Sequence, residues 1–142
     1  MNKIVKTIAI KAPVEKVFDY INEPNNLPEI WPSLVEVKDV KRLPDTTKFR
    51  WVYKMAGIRL EGTTEGVESV ANKRIVTKTK GGVESTQTWI FQPEAGGTKV
   101  TFEVAYTIPI PVLGKLAEAI VVKMNEHEGE LILANLKARM EA

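Results

Sequence analysis

The sequence predicts an α+β domain in which a curved seven-stranded antiparallel sheet wraps around one long C-terminal helix. Three observations point there. Between residues 34 and 107 alternating segments are broken at short intervals by turn residues, a strand and two short helical patterns precede that region, and an amphipathic stretch follows it to the end. A chain of 142 residues without cysteine is expected to be one domain, 1–142, large enough to build a core without staples.

Residues 3 to 11 are rich in β-branched side chains and stop at Ala12-Pro13, a strand followed by a helix start with Pro at the first helical position. Val14, Val17, Phe18 and Ile21 then recur at helical spacing, with Glu15, Lys16 and Asp19 on the other face, until Pro24 ends the helix. A second short helix is expected around Leu27 to Ile30. Turn signals at Leu43-Pro44-Asp45, Ala56-Gly57, Ala71-Asn72, Gly81-Gly82 and Ala95-Gly96-Gly97 divide the next region into six strands.

Alternation assigns faces to these strands. Phe49, Trp51 and Tyr53 share one face with Met55, while Lys48, Arg50 and Lys54 share the other with Val52. Val100, Phe102, Val104 and Tyr106 group together, as do Trp89 and Phe91. Leu60, Gly62 and Thr64 oppose Arg59, Glu61, Thr63 and Glu65, with a bend or bulge at Gly66. After Pro111 the helix of about 28 residues, roughly 40 Å long, spans the domain. Leu113, Leu116, Ala117, Ile120, Met124, Leu131, Ala134 and Ala138 form its main apolar stripe, with His127 at the centre. Leu133, Leu136 and Met140 form a second stripe on the opposite side, a dimer or partner contact or ordinary exposed surface.

Composition narrows the function. Twenty Lys and Arg are interleaved with eighteen Asp and Glu, so no basic face for nucleic acid stands out. The absence of Cys excludes thiol nucleophiles, disulfides and cysteine-ligated metals. The first residues lack a signal-peptide core, and no stretch approaches the roughly 20 apolar residues of a membrane span, so a cytoplasmic protein is expected. The Gly81-Gly82 and Gly96-Gly97 doublets lie between strands and are hairpin turns, not phosphate loops.

A sheet closed around one helix with Gly62, Thr64, Thr77 and Thr79 at inward positions is underfilled, and a cavity between helix and sheet follows. The segments Ile8 to Ile21, Asn25 to Pro32, Gly96 to Thr101 and Pro109 to Leu113 together resemble the helix-grip domains of the START/Bet v1-like (SRPBCC) superfamily, in its polyketide cyclase/dehydrase or CoxG-like branch. The resemblance covers essentially the whole chain. It implies binding of lipids, steroids, polyketides or hormones, cyclisation of polyketides, or assistance to other proteins.

The expected ligand is a small hydrophobic molecule. Its wall would comprise Trp51, Tyr53, Thr64, Thr77, Trp89, Phe91, Phe102 and Tyr106 from the sheet and Leu116, Ile120, Met124, His127 and Leu131 from the helix. His127, Tyr53 and Tyr106 are the candidates for proton transfer, although His127 suits a structural hydrogen bond better. Thr79, Ser85 and Gln87 add neutral polar groups whose face the pattern leaves open. No inward carboxylate or arginine is expected. Glu126, His127, Glu128 and Glu130 read as solvated residues beside a lone histidine, so no metal and no cofactor is assigned. Three functions follow from these residues and the resemblance: a carrier, a cyclase/dehydrase-like enzyme, or an accessory protein acting on a partner or a membrane.

Overall fold

The computed structural model describes residues 2–55, 57–81, 84–107 and 110–142, the side chains of 55 and 110–121 excepted. The chain runs β1 (Asn2–Ile10), α1 (Val14–Asn22), a 3₁₀ turn (Pro24–Asn26), α2 (Leu27–Ile30), then β2 (Leu34–Arg42), β3 (Thr47–Met55), β4 (Ile58–Val70), β5 (Arg74–Gly81), β6 (Glu84–Glu94) and β7 (Gly97–Thr107), and ends in α3 (Ile110–Met140). One antiparallel sheet has the order β1-β7-β6-β5-β4-β3-β2. Among the described residues no helix is long and apolar enough to cross a membrane.

Local chemistry accounts for the joints. Pro13, extended at φ −61° and ψ 147°, caps α1 from just outside rather than occupying its first turn. Gly96 closes the β6–β7 hairpin at φ 82°, where any side chain would be strained. Register shifts between Gly66 and Glu68 in β4, and around Asp39 in β2, place bulges that curve the sheet.

The core packs α1 and the last turns of α3 on the concave face. Val17, Phe18 and Ile21 of α1 meet Trp89, Phe91, Val100 and Phe102 of the sheet, together with Ile132, Leu133, Leu136 and Met140 of α3. Phe18 and Phe91 pack edge to face at 5.4 Å. The inward faces of β3, β4 and β7 are as the alternation predicts, Met55 lying outside the described side chains. Val52 departs from it: on the outer face, where the Lys38–Glu61 ion pair reaches from β2 to β4 across β3, it is nevertheless fully buried.

The helix is phased differently from the expectation. Met124 (46%) and Leu131 (37%) are exposed, as are His127, Ala134 and Ala138, whereas Leu133, Leu136 and Met140 are buried. The inward stripe runs Asn125, Glu128, Gly129, Ile132, Leu133, Leu136 and Met140. Its first half carries an amide, a carboxylate and a glycine, so apolar periodicity alone follows the wrong side. The stripe read as a docking surface is core and cannot serve as one. Leu113, Leu116, Ala117 and Ile120 lie outside the described side chains.

Candidate functional site

Where α3 turns its polar stretch inward, the sheet leaves a cavity of about 90 Å³. Its walls are Ile4, Phe102, Val104 and Tyr106 from β1 and β7, Phe49, Trp51 and Tyr53 from β3, Thr64 and Thr79 from β4 and β5, and Ser85 and Gln87 from β6. Leu27, Trp31 and Leu34 close one end, and Asn125, Glu128, Gly129 and Ile132 of α3 close the top. Gly62 lets the Trp51 indole lie flat across β4, since a Cβ there would collide with that ring and with the Lys80 carbonyl.

Glu128 is the unexpected member. Its side chain is buried at 9% exposure and points into the cavity wall, overturning the expectation of a site without a fixed carboxylate. Oε1 accepts hydrogen bonds from Trp31 Nε1 (2.7 Å) and Tyr53 Oη (2.8 Å), and Oε2 accepts from Ser33 Oγ. All three donors are neutral and come from the α2–β2 junction and β3, so one helical carboxylate ties three segments together. No cation contacts it among the described residues. Burial drives the Tyr53 phenol well above its ordinary pKa, and the charge and hydrogen bond of Glu128 push in the same direction against smaller opposing effects of Ser33 and Trp31. Tyr53 is therefore a proton-bearing donor at neutral pH.

Other polar groups divide into satisfied and waiting. Thr64 and Thr79, directly opposed across β4 and β5, share a hydrogen bond of 2.8 Å. Trp51 Nε1, Thr77 Oγ1 and Tyr106 Oη make no hydrogen bond among the described residues. Burial raises the Tyr106 pKa.

Of the residues singled out in the sequence, Trp51, Tyr53, Thr64, Phe102 and Tyr106 line this cavity. Phe91 lies in the packed core, and Trp89 and Thr77 face a neighbouring concavity. His127, Met124 and Leu131 are exposed on the far side of α3, and the side chains of Leu116 and Ile120 are outside the description. Sequence reasoning missed Glu128, Trp31, Asn125 and Phe49 as parts of the wall, and Ser33 as a partner of Glu128. The available signal was the stripe of Leu133, Leu136 and Met140: traced upstream in steps of three and four, it lands on Gly129, Glu128 and Asn125.

The sequence model describing polyketide cyclase/dehydrase and lipid transport proteins matches residues 1–141. The chain belongs to that family. A protein of Thermus thermophilus is 27% identical, with a TM-score of 0.78 over 98% of this chain and 97% of that one. A START superfamily protein from Mycobacterium smegmatis (18% identity, TM-score 0.79, 98% and 97% covered) shares the fold. So does the Zhui aromatase/cyclase of a Streptomyces species (16%, TM-score 0.72, 99% and 96% covered). No protein of curated function matches the chain by sequence. The helix-grip architecture is thus that of the START/SRPBCC superfamily, and it places the cavity between sheet and C-terminal helix.

Proposed function

We propose that this family member binds a small, largely apolar molecule in the cavity between the sheet and α3. The observation that carries the reading is the wall itself: aromatic and aliphatic side chains surround a space interrupted by one carboxylate, whose known partners are neutral donors. Apolar contact would supply affinity, and Glu128, Tyr53 and the amide of Asn125 would orient a polar substituent. The test is saturable binding of Nile red, a neutral dye, followed by energy transfer from tryptophan. Val104→Trp, which fills the cavity, should abolish transfer while the far-ultraviolet dichroism is retained. Ile132→Phe serves if that variant does not fold. Undiminished binding in a folded, filled variant would refute the reading.

A second reading is favoured by the Glu128–Tyr53 contact of 2.8 Å at the cavity wall. A buried carboxylate beside a ligand could accept a proton during a cyclase/dehydrase-like reaction and return it to the departing hydroxyl as water leaves, with Tyr53 turning its one hydroxyl hydrogen from Glu128 to a ligand oxygen. Mass spectrometry of the recovered ligand separates the two: a carrier returns it unchanged, and a dehydrating enzyme returns it lighter by one water.

A further inference from the structure

The cavity has a neighbour. A second concavity of about 360 Å³ opens between the end of α1, the β2–β3 hairpin and the bulged part of β4, with Trp89 and Thr77 at its floor. Leu27, Phe49 and Gln87 line both spaces. These three side chains are the partition between an inner and an outer chamber, and Phe49, only 8% exposed, is its bulkiest part. The inner chamber alone is far below the roughly 300 Å³ at which ligand sites begin. At the outer rim, Leu43 (48%) and Val67 (54%) stand in water, two large apolar side chains flanking one opening. Thr46 Oγ1 donates to the Gly66 carbonyl at 2.6 Å, tying the hairpin to the bulge beside that opening.

The charges in both chambers have one sign. Among the described residues, neither lining contains Lys, Arg or His. The inner chamber holds Glu128, balanced only by neutral donors, and the outer holds Asp45 and Glu68. Glu68 is neutralised by Arg74 at 3.0 Å, and Arg42, next to Leu43 in sequence, is taken by Glu23. An anion entering here would meet carboxylates and find no counter-charge.

We infer that the two chambers form one elongated binding site, partitioned by Phe49, that takes a neutral or cationic amphiphile and discriminates against an anionic one. Its apolar portion passes the partition into the inner chamber, and its polar end rests near Asp45, Thr46 and Ser69 at the mouth. This inference rests on the ligand-binding reading above and specifies the ligand's shape and charge.

The three tryptophans make the test direct. Trp31 and Trp51 line the inner chamber and Trp89 the outer, so the ¹⁵N-indole resonances of the whole protein report each chamber separately. Decanol, decylammonium and decanoate are titrated at neutral pH. Decanol and decylammonium should move all three resonances, and decanoate should bind at least about tenfold more weakly, as an uncompensated like-charge contact requires. Phe49→Leu, which thins the partition without emptying the core, should speed decanol association. Movement of Trp31 and Trp51 without Trp89 would leave cavity binding intact and overturn the elongated site. Equal binding of decanoate would overturn the charge selection, and an unchanged association rate in Phe49→Leu would overturn the partition. If no probe moves any indole, the ligand-binding reading falls, and this inference with it.

Discussion

Glu128 offers the sharpest test of how the wall is built. Truncation in Glu128→Ala strands Trp31 Nε1, Tyr53 Oη and Ser33 Oγ, the three donors that converge on the carboxylate. Ser33 Oγ, half-buried and outside the cavity lining, can turn its hydroxyl to another partner, which leaves two donors facing the cavity. A stranded buried donor costs about 1–3 kcal/mol, so a loss of about 2–4 kcal/mol is expected once relief of the buried charge is allowed for. For a chain of this size that lowers Tm by roughly 6–12 °C. Glu128→Gln behaves differently. Its amide oxygen still accepts from Trp31 and Tyr53, and its NH₂ meets Ser33 Oγ, which can rotate to accept. Three charge-assisted bonds become neutral ones while a desolvated charge disappears, for a net cost of about 1 kcal/mol. Urea and thermal unfolding measure both variants, with Glu130→Ala, an exposed partner of Lys6 at 3.1 Å, as a silent control. If Ala and Gln are equally mild, the carboxylate does not hold the junction of α2, β2 and β3, and the account of the site is wrong. Tyr53 gives an independent signature: in Glu128→Gln its ionisation should move down toward the ordinary tyrosine value, because one of the causes of its rise has been removed.

Further measurements address the helix, the sheet and the tyrosines. Leu136→Ala, at a fully buried position, should cost about 2–5 kcal/mol in urea unfolding, whereas Leu131→Ala and His127→Ala should be near neutral; the reverse order would restore the helix phase expected from periodicity. His127→Ala should also leave Nile red affinity unchanged, and a loss of binding would return the imidazole to the site. Gly62→Ala should destabilise by about 1–3 kcal/mol and shift Trp51 fluorescence, since the new methyl collides with the indole and the Lys80 carbonyl; an unperturbed emission spectrum would show that the ring does not cross that glycine. All three tyrosines, Tyr20, Tyr53 and Tyr106, have raised pKa values, caused first by burial. Because the folded state holds these protons more tightly, their contribution is complete below the unfolded value near 10 and is lost as pH climbs above it. Absorbance at alkaline pH should therefore show no separate tyrosine step near 10, and ionisation should accompany unfolding; a free step there would refute the burial of at least one phenol.

Strands were legible in the sequence because one dry face and one wet face write a two-residue period that turn residues punctuate. Phe49, Trp51 and Tyr53 point inward as that period requires, and Gly66 marks a real bulge. The same rule failed at Val52, where long charged side chains on neighbouring strands can cover an apolar residue on the nominally wet face. Thr77 and Thr79 illustrate a finer limit: both belong to β5 and pair with β4 in one register, opposite Gly66 and Thr64, yet only Thr79 reaches the inner cavity, because Thr77 lies two residues farther along the strand, beside the second concavity.

The helix was harder for a reason tied to the site. A stripe that packs on a core is apolar, but one that also roofs a cavity must give up some apolar side chains to polar and small ones. Asn125, Glu128 and Gly129 are those positions here, and removing three hydrophobes from the inward stripe leaves the outward face of α3 looking the more hydrophobic of the two. Local pattern and tertiary structure thus disagree over a single stretch of the chain, and that stretch holds the buried carboxylate. Gly129 is buried beside it: a Cβ there would stand 3.5 Å from Ile4 and Lys6 of β1, an ordinary van der Waals contact, so α3 packs on the sheet edge one residue after Glu128. The burial of Ile132, Leu133, Leu136 and Met140 sets the rotation of α3, and that rotation turns Glu128 inward while His127, one residue earlier and about 100° around the helix, is turned out to solvent.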